Sequence, residues 1–299
     1  MAIRGRILWL ATCAVLFTPG TARPVEAPPI DPELIARRVA RNQRMVERRW
    51  GGATYDLFEI RTAYSKEGRP KEIHRRLYYV LAAENGGEGS RELVEVDGRP
   101  ASPAEIREAA EEDATRRHRI EERAAKRASA PPGASDGDDD PFLGDRRLSE
   151  LLSRYELTFV GEDVVDGRPV YVLDFAARPG LPVRTLADRA LASMGGRVVI
   201  DAGDLQIQSL EAHLTRNLKV VGGLAANVKD AGVDYRAVRL APDFWFPCRV
   251  DLHVVGKTAI FFRFNSGFRF EFANLRSFRV DTEAVVEGVE EQPPRPDPR

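Results

Sequence analysis

Hydrophobic and polar residues alternate most regularly in the last third of the chain. Over residues 244–254 apolar side chains occupy every second position, and over residues 262–272 five phenylalanines and Ser266 do the same. A period of two places each set on one face of a strand and the intervening polar residues on the other. The pattern predicts two long antiparallel strands, each with one dry face and one solvated face.

Shorter strand-like runs fill much of the rest of the chain. Residues 55–64 and 73–83 are rich in aromatic and branched side chains, and Asp97-Gly98 is typical of a tight turn. From residue 155 onward, strand-like runs recur between small turn-forming segments. These segments are Asp166-Gly167, Ala202-Gly203-Asp204, Ala231-Gly232 and Val255-Gly256. The spacing predicts an antiparallel array with a short helix near residues 184–193.

Two segments predict longer helices. Asp31-Pro32-Glu33 supplies an N-cap, a first-turn proline and an acidic residue at the positive end of the helix dipole. It predicts a helix over residues 31–49, ended by Gly51-Gly52. Residues 103–128 are mostly Ala, Glu and Arg with almost no apolar stripe, and therefore predict a solvated helix.

The N-terminus has the pattern of a secretory signal peptide. Arg4 and Arg6 precede an apolar run over residues 7–17, and Gly20-Thr21-Ala22 supplies small residues for cleavage. We therefore expect residues 1–22 to direct export to the periplasm. An alternative is that Leu10-Ala11-Thr12-Cys13 is a lipoprotein processing box, in which case Cys13 would carry a lipid and anchor the chain to the outer membrane.

Charge and motifs exclude several kinds of chemistry. A formal net charge of -1 argues against nucleic-acid binding, which needs a basic surface. The four histidines have no metal-ligand spacing, and no nucleophile-elbow motif occurs. Gly256-Lys257-Thr258 lacks the first glycine of a phosphate-binding loop, since position 251 is Asp. We predict no catalytic residue, no metal site and no cofactor.

The phenylalanine-rich face is the most unusual feature of the sequence. One interpretation is that the rings are simply core, as aromatic strand faces usually are. The other is that they line an apolar cavity open to a lipid or acyl chain, as curved sheets allow. On the second interpretation, the lining includes five phenylalanines: Phe246, Phe262, Phe264, Phe268 and Phe270.

Residues 159–279 resemble the superfamily of periplasmic lipoprotein-localisation factors, the LolA/LolB-like proteins. Three passages carry the resemblance: a hairpin leading into a strand, a second hairpin with an Ile-Asp turn, and a Trp-Phe-Pro strand start before the Phe-rich strand. They are Gly161 to Leu173, Gly196 to Glu211, and Phe244-Trp245-Phe246-Pro247 with Phe272-Ala273-Asn274.

The resemblance implies an α+β, mostly β fold: an incomplete antiparallel β-barrel with helices packed on its concave side. It implies one domain over residues 23–281, after the signal peptide and before a disordered tail over residues 282–299. The charged helix and linker over about residues 101–141 depart from the family pattern and are interpreted as an insertion.

Three functions remain open from the sequence. The resemblance favours a periplasmic carrier or binder of lipid or lipoprotein acyl chains, which is not an enzyme. An alternative is an envelope structural or sensing module that binds outer-membrane or other envelope proteins through its charged insertion. The least favoured is a hydrolase with catalytic residues scattered through the chain, since triads are defined by geometry and not by order.

Overall fold

The computed structural model describes residues 31–50, 52–81, 89–129, 148–180, 183, 186–220, 226–242, 244–258 and 262–277. The predicted signal peptide with Cys13, the linker after residue 129 and the acidic tail lie outside these ranges. The helices are α1 (Pro32–Trp50), α2 (Pro103–Ser129), α3 (Leu148–Leu151) and α4 (Leu186–Leu191), with a 3-10 turn at Leu152–Arg154. The strands are β1 (Ala53–Tyr64), β2 (Pro70–Val80), β3 (Arg91–Val96), β4 (Arg99–Pro100), β5 (Tyr155–Val165), β6 (Arg168–Ala177), β7 (Met194–Asp201), β8 (Ile207–Leu214), β9 (Leu218–Val220), β10 (Ala226–Ala241), β11 (Phe244–Thr258) and β12 (Phe262–Ser277).

The described strands form one antiparallel sheet. Its order is β4-β3-β2-β1-β12-β11-β10-β8-β7-β6-β5, and β9 pairs with β10 beside this path. Because β1 pairs with β12, segments more than 200 positions apart in the chain are neighbours in the sheet. The path ends at β4 and β5, so over the described strands the sheet is open. The predicted mostly-β, incomplete-barrel fold is confirmed.

Local turn chemistry sets several of the connections. Asp97 and Gly98 have φ values of 52° and 80°, and Asp166 and Gly167 have values of 51° and 75°. Two successive positive φ values belong to the two-residue type I′ hairpin, for which Asp-Gly is well suited. Both predicted turns are confirmed, and they join β3 to β4 and β5 to β6.

Two other predicted turns are wrong, because glycine serves a different purpose there. Gly232 lies inside β10, and a Cβ atom on it would meet the ring of His253 on β11 at 2.2 Å. Gly256 lies inside β11, and its Cβ would meet the Phe264 ring at 2.6 Å. In each case a ring from the neighbouring strand lies across the glycine, so the missing side chain makes room for a cross-strand contact.

Helix α1 crosses one half of the sheet. It begins as predicted, with the backbone N–H of Glu33 donating to the Asp31 carboxylate at 2.9 Å. At its other end, Trp50 Nε1 donates to the carbonyl oxygen of Trp245, 3.0 Å away, at the start of β11. Glu33 forms a 2.7 Å ion pair with Arg178, just beyond β6. Its 19 residues span about 28 Å, enough to cover the roughly 19 Å between β11 and β6.

Helix α2 exists as predicted, but it is not solvated on all sides. Its first turn is a capping box, in which the Ser102 N–H donates to the Glu105 carboxylate at 2.8 Å and the Glu105 N–H donates to Ser102 Oγ at 3.4 Å. Ala109 and Asp113 are buried against the sheet at 4% and 7% exposure. The Asp113 carboxylate accepts from the N–H of Arg91 on β3. The missing apolar stripe is thus replaced by one alanine and one fully partnered carboxylate.

The core has two parts. Under α2 it contains Leu57, Tyr78, Val80 and Leu93 with Ala109. The other part lies on the other half of the sheet, where seven apolar side chains from α1, β6, β7 and β8 are fully buried. These are Val39, Val46, Val170, Leu173, Val198, Ile200 and Ile207.

Candidate functional site

An apolar surface on β11 and β12 is the candidate site. The register pairs Val250 with Phe270, Leu252 with Phe268, and Gly256 with Phe264. Residues directly opposite each other in an antiparallel pair project to the same face. We call the resulting surface the aromatic wall, defined as Phe264, Phe268 and Phe270 together with Val250, Leu252 and Val254.

The aromatic wall lies on the face of the sheet that bears the helices. Phe270 and Phe272 pack against the cluster that contains Leu57 of β1 and Ala109 of α2. Phe272 also contacts Phe246, whose ring is edge-on to Trp50 of α1 at 5.9 Å. Both long helices therefore pack on the face that carries the wall.

The structure separates the predicted lining residues by environment. Phe246 is only 3% exposed and contacts the rings of Trp50, Tyr55 and Phe272 at 5.3–6.0 Å, so it belongs to a packed aromatic cluster beside the wall and not to the accessible surface. Phe264, Phe268 and Phe270 are half-buried on β12. The side chain of Phe262 lies outside the part that the structure describes.

The aromatic wall is less covered than the rest of the core. Val250 and Leu252 are half-buried like the three rings, and Val254 is 6% exposed. By contrast, Leu173 and Val198, in the half of the sheet that α1 covers, have no exposed surface. A contiguous apolar surface that stays partly accessible on a helix-bearing face is suited to hold an apolar ligand.

Charged side chains border the aromatic wall along β1 and β2. Glu59, opposite Phe270, forms a 2.9 Å ion pair with Arg91. Arg61, opposite Phe268, places its guanidinium carbon 5.3 Å from the centre of that ring. The alternation within β12 did not predict this border, because the border arises from the pairing of β12 with β1, which is about 200 positions earlier in the chain.

A second polar group holds the turn between β7 and β8. Asp204 Oδ2 accepts hydrogen bonds from Arg239 Nε at 2.6 Å, Trp245 Nε1 at 2.9 Å and Arg168 at 3.3 Å. Asp201, with no exposed surface, accepts two further hydrogen bonds from Arg168, from Nε at 2.5 Å and from Nη2 at 2.8 Å. Burial alone would raise the pKa of Asp201, but the Arg168 and backbone hydrogen bonds outweigh it and lower the pKa. This group connects four strands, β6, β7, β10 and β11, and stabilises the sheet beside α1.

Cys248 and Tyr155 are two titratable groups elsewhere in the described part of the chain whose pKa values are raised by burial. Burial raises the pKa of the Cys248 thiol, so the reactive thiolate is disfavoured. Burial also raises the pKa of Tyr155 to about 12, and its hydroxyl donates to the carbonyl oxygen of Leu191 at 3.0 Å. Among the described residues, no cluster of three or more His, Cys, Asp or Glu side chains is placed to hold a metal ion. None of the described helices combines the length and apolar character needed to cross a membrane.

Comparison with known proteins gives distant structural matches. No protein-family model matches the chain, and no curated protein matches its sequence. Solved structures that match include an outer-membrane lipoprotein-sorting protein domain from Vibrio parahaemolyticus, at 11% identity and a TM-score of 0.35, covering 83% of this chain and 95% of that one. A DUF1329 family protein from Desulfovibrio piger matches at 13% identity and a TM-score of 0.38, covering 83% and 94%. A LolA superfamily protein from Nitrosomonas europaea matches at 8% identity and a TM-score of 0.31, covering 84% and 96%. The family that the sequence resembles is thus among the structures matched.

Proposed function

We propose that the protein is a periplasmic binder or carrier of a hydrophobic or acylated ligand, whose acyl chains lie against the aromatic wall. The observation that carries the proposal is the partial exposure of this wall on the helix-bearing face. Phe264, Phe268 and Leu252 present apolar surface there, although neighbouring parts of the same face are fully buried. Each 100 Å² of apolar surface that a ligand covers contributes about 2.5 kcal/mol before the costs of ordering.

The experiment is a displacement titration with a fluorescent fatty-acid analogue, combined with native mass spectrometry of protein purified from the envelope. Phe268→Ala removes a ring from the centre of the wall. Phe159→Ala is the matched control, because Phe159 is also half-buried but lies on β5 against Tyr171, with ring centres 6.3 Å apart.

We expect Phe268→Ala to weaken binding about tenfold, which corresponds to the loss of about 1.4 kcal/mol of ring burial. Phe159→Ala should leave the affinity within about twofold of the parent value, an allowance of about 0.4 kcal/mol. Urea midpoints for both variants show whether either has lost its fold. Absence of displacement by any acyl compound, together with absence of co-purified lipid, contradicts the proposal.

A second candidate function is contact with another envelope protein through α2, and one observation favours it. Beyond the buried Asp113, the described part of the helix carries the exposed side chains His118 and Arg119. A chain lacking residues 118–140 keeps the packed first half of α2 and removes this surface. Cross-linking in cells that captures the same partners with and without the segment excludes the surface, whereas loss of a specific partner favours it.

A further inference from the structure

Arg61 occupies an unusual place at the border of the aromatic wall. It projects to the same face as Leu57, four positions earlier on β1, and its guanidinium carbon is 5.3 Å from the Phe268 ring centre. Arg61 begins a row of laterally paired residues that runs across the sheet, from Phe268 on β12 to Leu252 on β11 and then to Val233 on β10. Across three strand spacings of about 4.8 Å, a cation is therefore followed by about 14 Å of apolar surface.

The other charges around Arg61 are already paired. Glu59 pairs with Arg91, and Arg76 with Glu112 at 3.2 Å. His74, opposite Arg61 on β2, lies 2.9 Å from Glu72.

Within the part of the chain that the structure describes, Arg61 is exposed and has no carboxylate at ion-pair distance. The cation–π contact is worth only about 1 kcal/mol at an exposed site, so the guanidinium can turn toward a ligand.

We propose that Arg61 binds the anionic head group of a single-chain amphiphile, a carboxylate or a phosphate, whose apolar chain covers Phe268, Leu252 and Val233. The inference rests on the proposed function and names the class of its ligand. The guanidinium fork matches carboxylate and phosphate oxygens in a bidentate manner. The row supplies the charge at one end and the apolar surface behind it.

The experiment compares three probes with the same chain: myristate, myristyl phosphate and myristyl alcohol. Each is titrated by displacement against the parent protein, Arg61→Gln, Arg61→Lys and Arg263→Gln. Arg263 is the matched control, because it is an exposed arginine on β12 that projects to the opposite face from Phe264.

We expect Arg61→Gln to weaken binding of the two anionic probes, myristate and myristyl phosphate, about tenfold. The affinity for myristyl alcohol should stay within about twofold of the parent value. Arg61→Lys should recover part of the loss, since it keeps the charge and loses the fork. Arg263→Gln should change neither. A larger loss for the phosphate indicates a phospholipid-like head group, and a larger loss for the carboxylate indicates a free fatty acid; both support the proposal.

Two results overturn the inference and leave the proposed function in place. One is equal binding of acid, phosphate and alcohol by the parent protein, and the other is an equal loss for all three probes in Arg61→Gln. Failure of every probe, the alcohol included, to bind the parent protein instead removes the proposed function itself.

Discussion

Replacement of Asp204 by alanine tests how the sheet is held together beside α1. A single carboxylate oxygen, Oδ2, accepts hydrogen bonds from Arg239, Trp245 and Arg168. The Asp204 side chain is 11% exposed and Trp245 is 2% exposed, so water cannot easily replace the lost acceptor. Asp204→Ala therefore leaves the buried Trp245 N–H unpaired, removes the carboxylate that pairs with Arg239, and leaves Arg168 paired with Asp201 alone.

The expected cost follows from these contacts. Leaving the buried Trp245 N–H without an acceptor costs about 1–3 kcal/mol, and the loss of an ion-pair partner for Arg168 and Arg239, whose side chains are 32% and 30% exposed, raises the total to about 2–4 kcal/mol. A domain of ordinary stability unfolds with about 5–15 kcal/mol, so the loss is a large fraction of the total. At about 2–4 °C per kcal/mol for a domain of this size, the melting temperature falls by roughly 10 °C.

Urea unfolding followed by tryptophan fluorescence measures the change, with Asp230→Ala as the control. Asp230 also pairs with a side chain, His253 at 3.4 Å, but both are about half exposed. The control should cost less than about 1 kcal/mol. Asp204→Asn should fall between the two, because it keeps an acceptor and loses the charge. Equal destabilisation by Asp204→Ala and Asp230→Ala would refute the reasoning.

Three further predictions concern single positions. Gly256→Ala should lower the free energy of unfolding in urea by about 2 kcal/mol, because the new Cβ meets the Asn227 backbone carbonyl oxygen at 2.6 Å. Gly232→Ala should lower it by less than about 1 kcal/mol, since the three atoms nearest to its Cβ belong to the movable His253 ring. Equal losses in the two variants contradict the argument. Burial raises the pKa of Tyr155 from 10 to about 12. The neutral hydroxyl therefore contributes its full stability below pH 10, and this stability is lost as the pH rises through 12. Across this range the melting temperature should fall less steeply in Tyr155→Phe than in the parent protein, and identical slopes contradict the prediction. Ser102→Ala removes half of the capping box and should lower the protection of the first turn of α2 in hydrogen exchange by about 0.5–2 kcal/mol, whereas unchanged exchange contradicts the cap.

The features that the sequence predicted correctly are those that depend on neighbouring residues. Asp166-Gly167 forms its turn because this pair tolerates two positive φ values wherever it occurs. Asp31 caps α1 because its carboxylate reaches the N–H of Glu33, two positions later. The period-two runs predicted the strands β11 and β12, but not their faces. A register shift against β10 interrupts the alternation of β11 near Cys248, and β12 is half-buried on both faces over residues 264–273.

The errors came where a residue's role depends on a distant strand. Gly232 and Gly256 have the local character of turn residues, yet both lie inside strands. There the rings of His253 and Phe264 on adjacent strands occupy the space that a side chain at each glycine would need. Helix α2 lacks an apolar stripe, and only the position of β3 explains why Asp113 is buried in place of an apolar residue.

The sequence by itself therefore determined most of the helices and strands, the Asp-Gly turns and the row of phenylalanines on β12. Only the tertiary structure decided which side chains meet that row. The pairing of β1 with β12 places Arg61 beside Phe268, more than 200 positions away. The packing of Trp50 of α1, Tyr55 and Phe272 around Phe246 buries that ring, while Phe264 and Phe268 stay partly exposed. The physical reason is that hydrogen-bonded turns and period-two faces are local, whereas strand order depends on burial summed over the whole sheet.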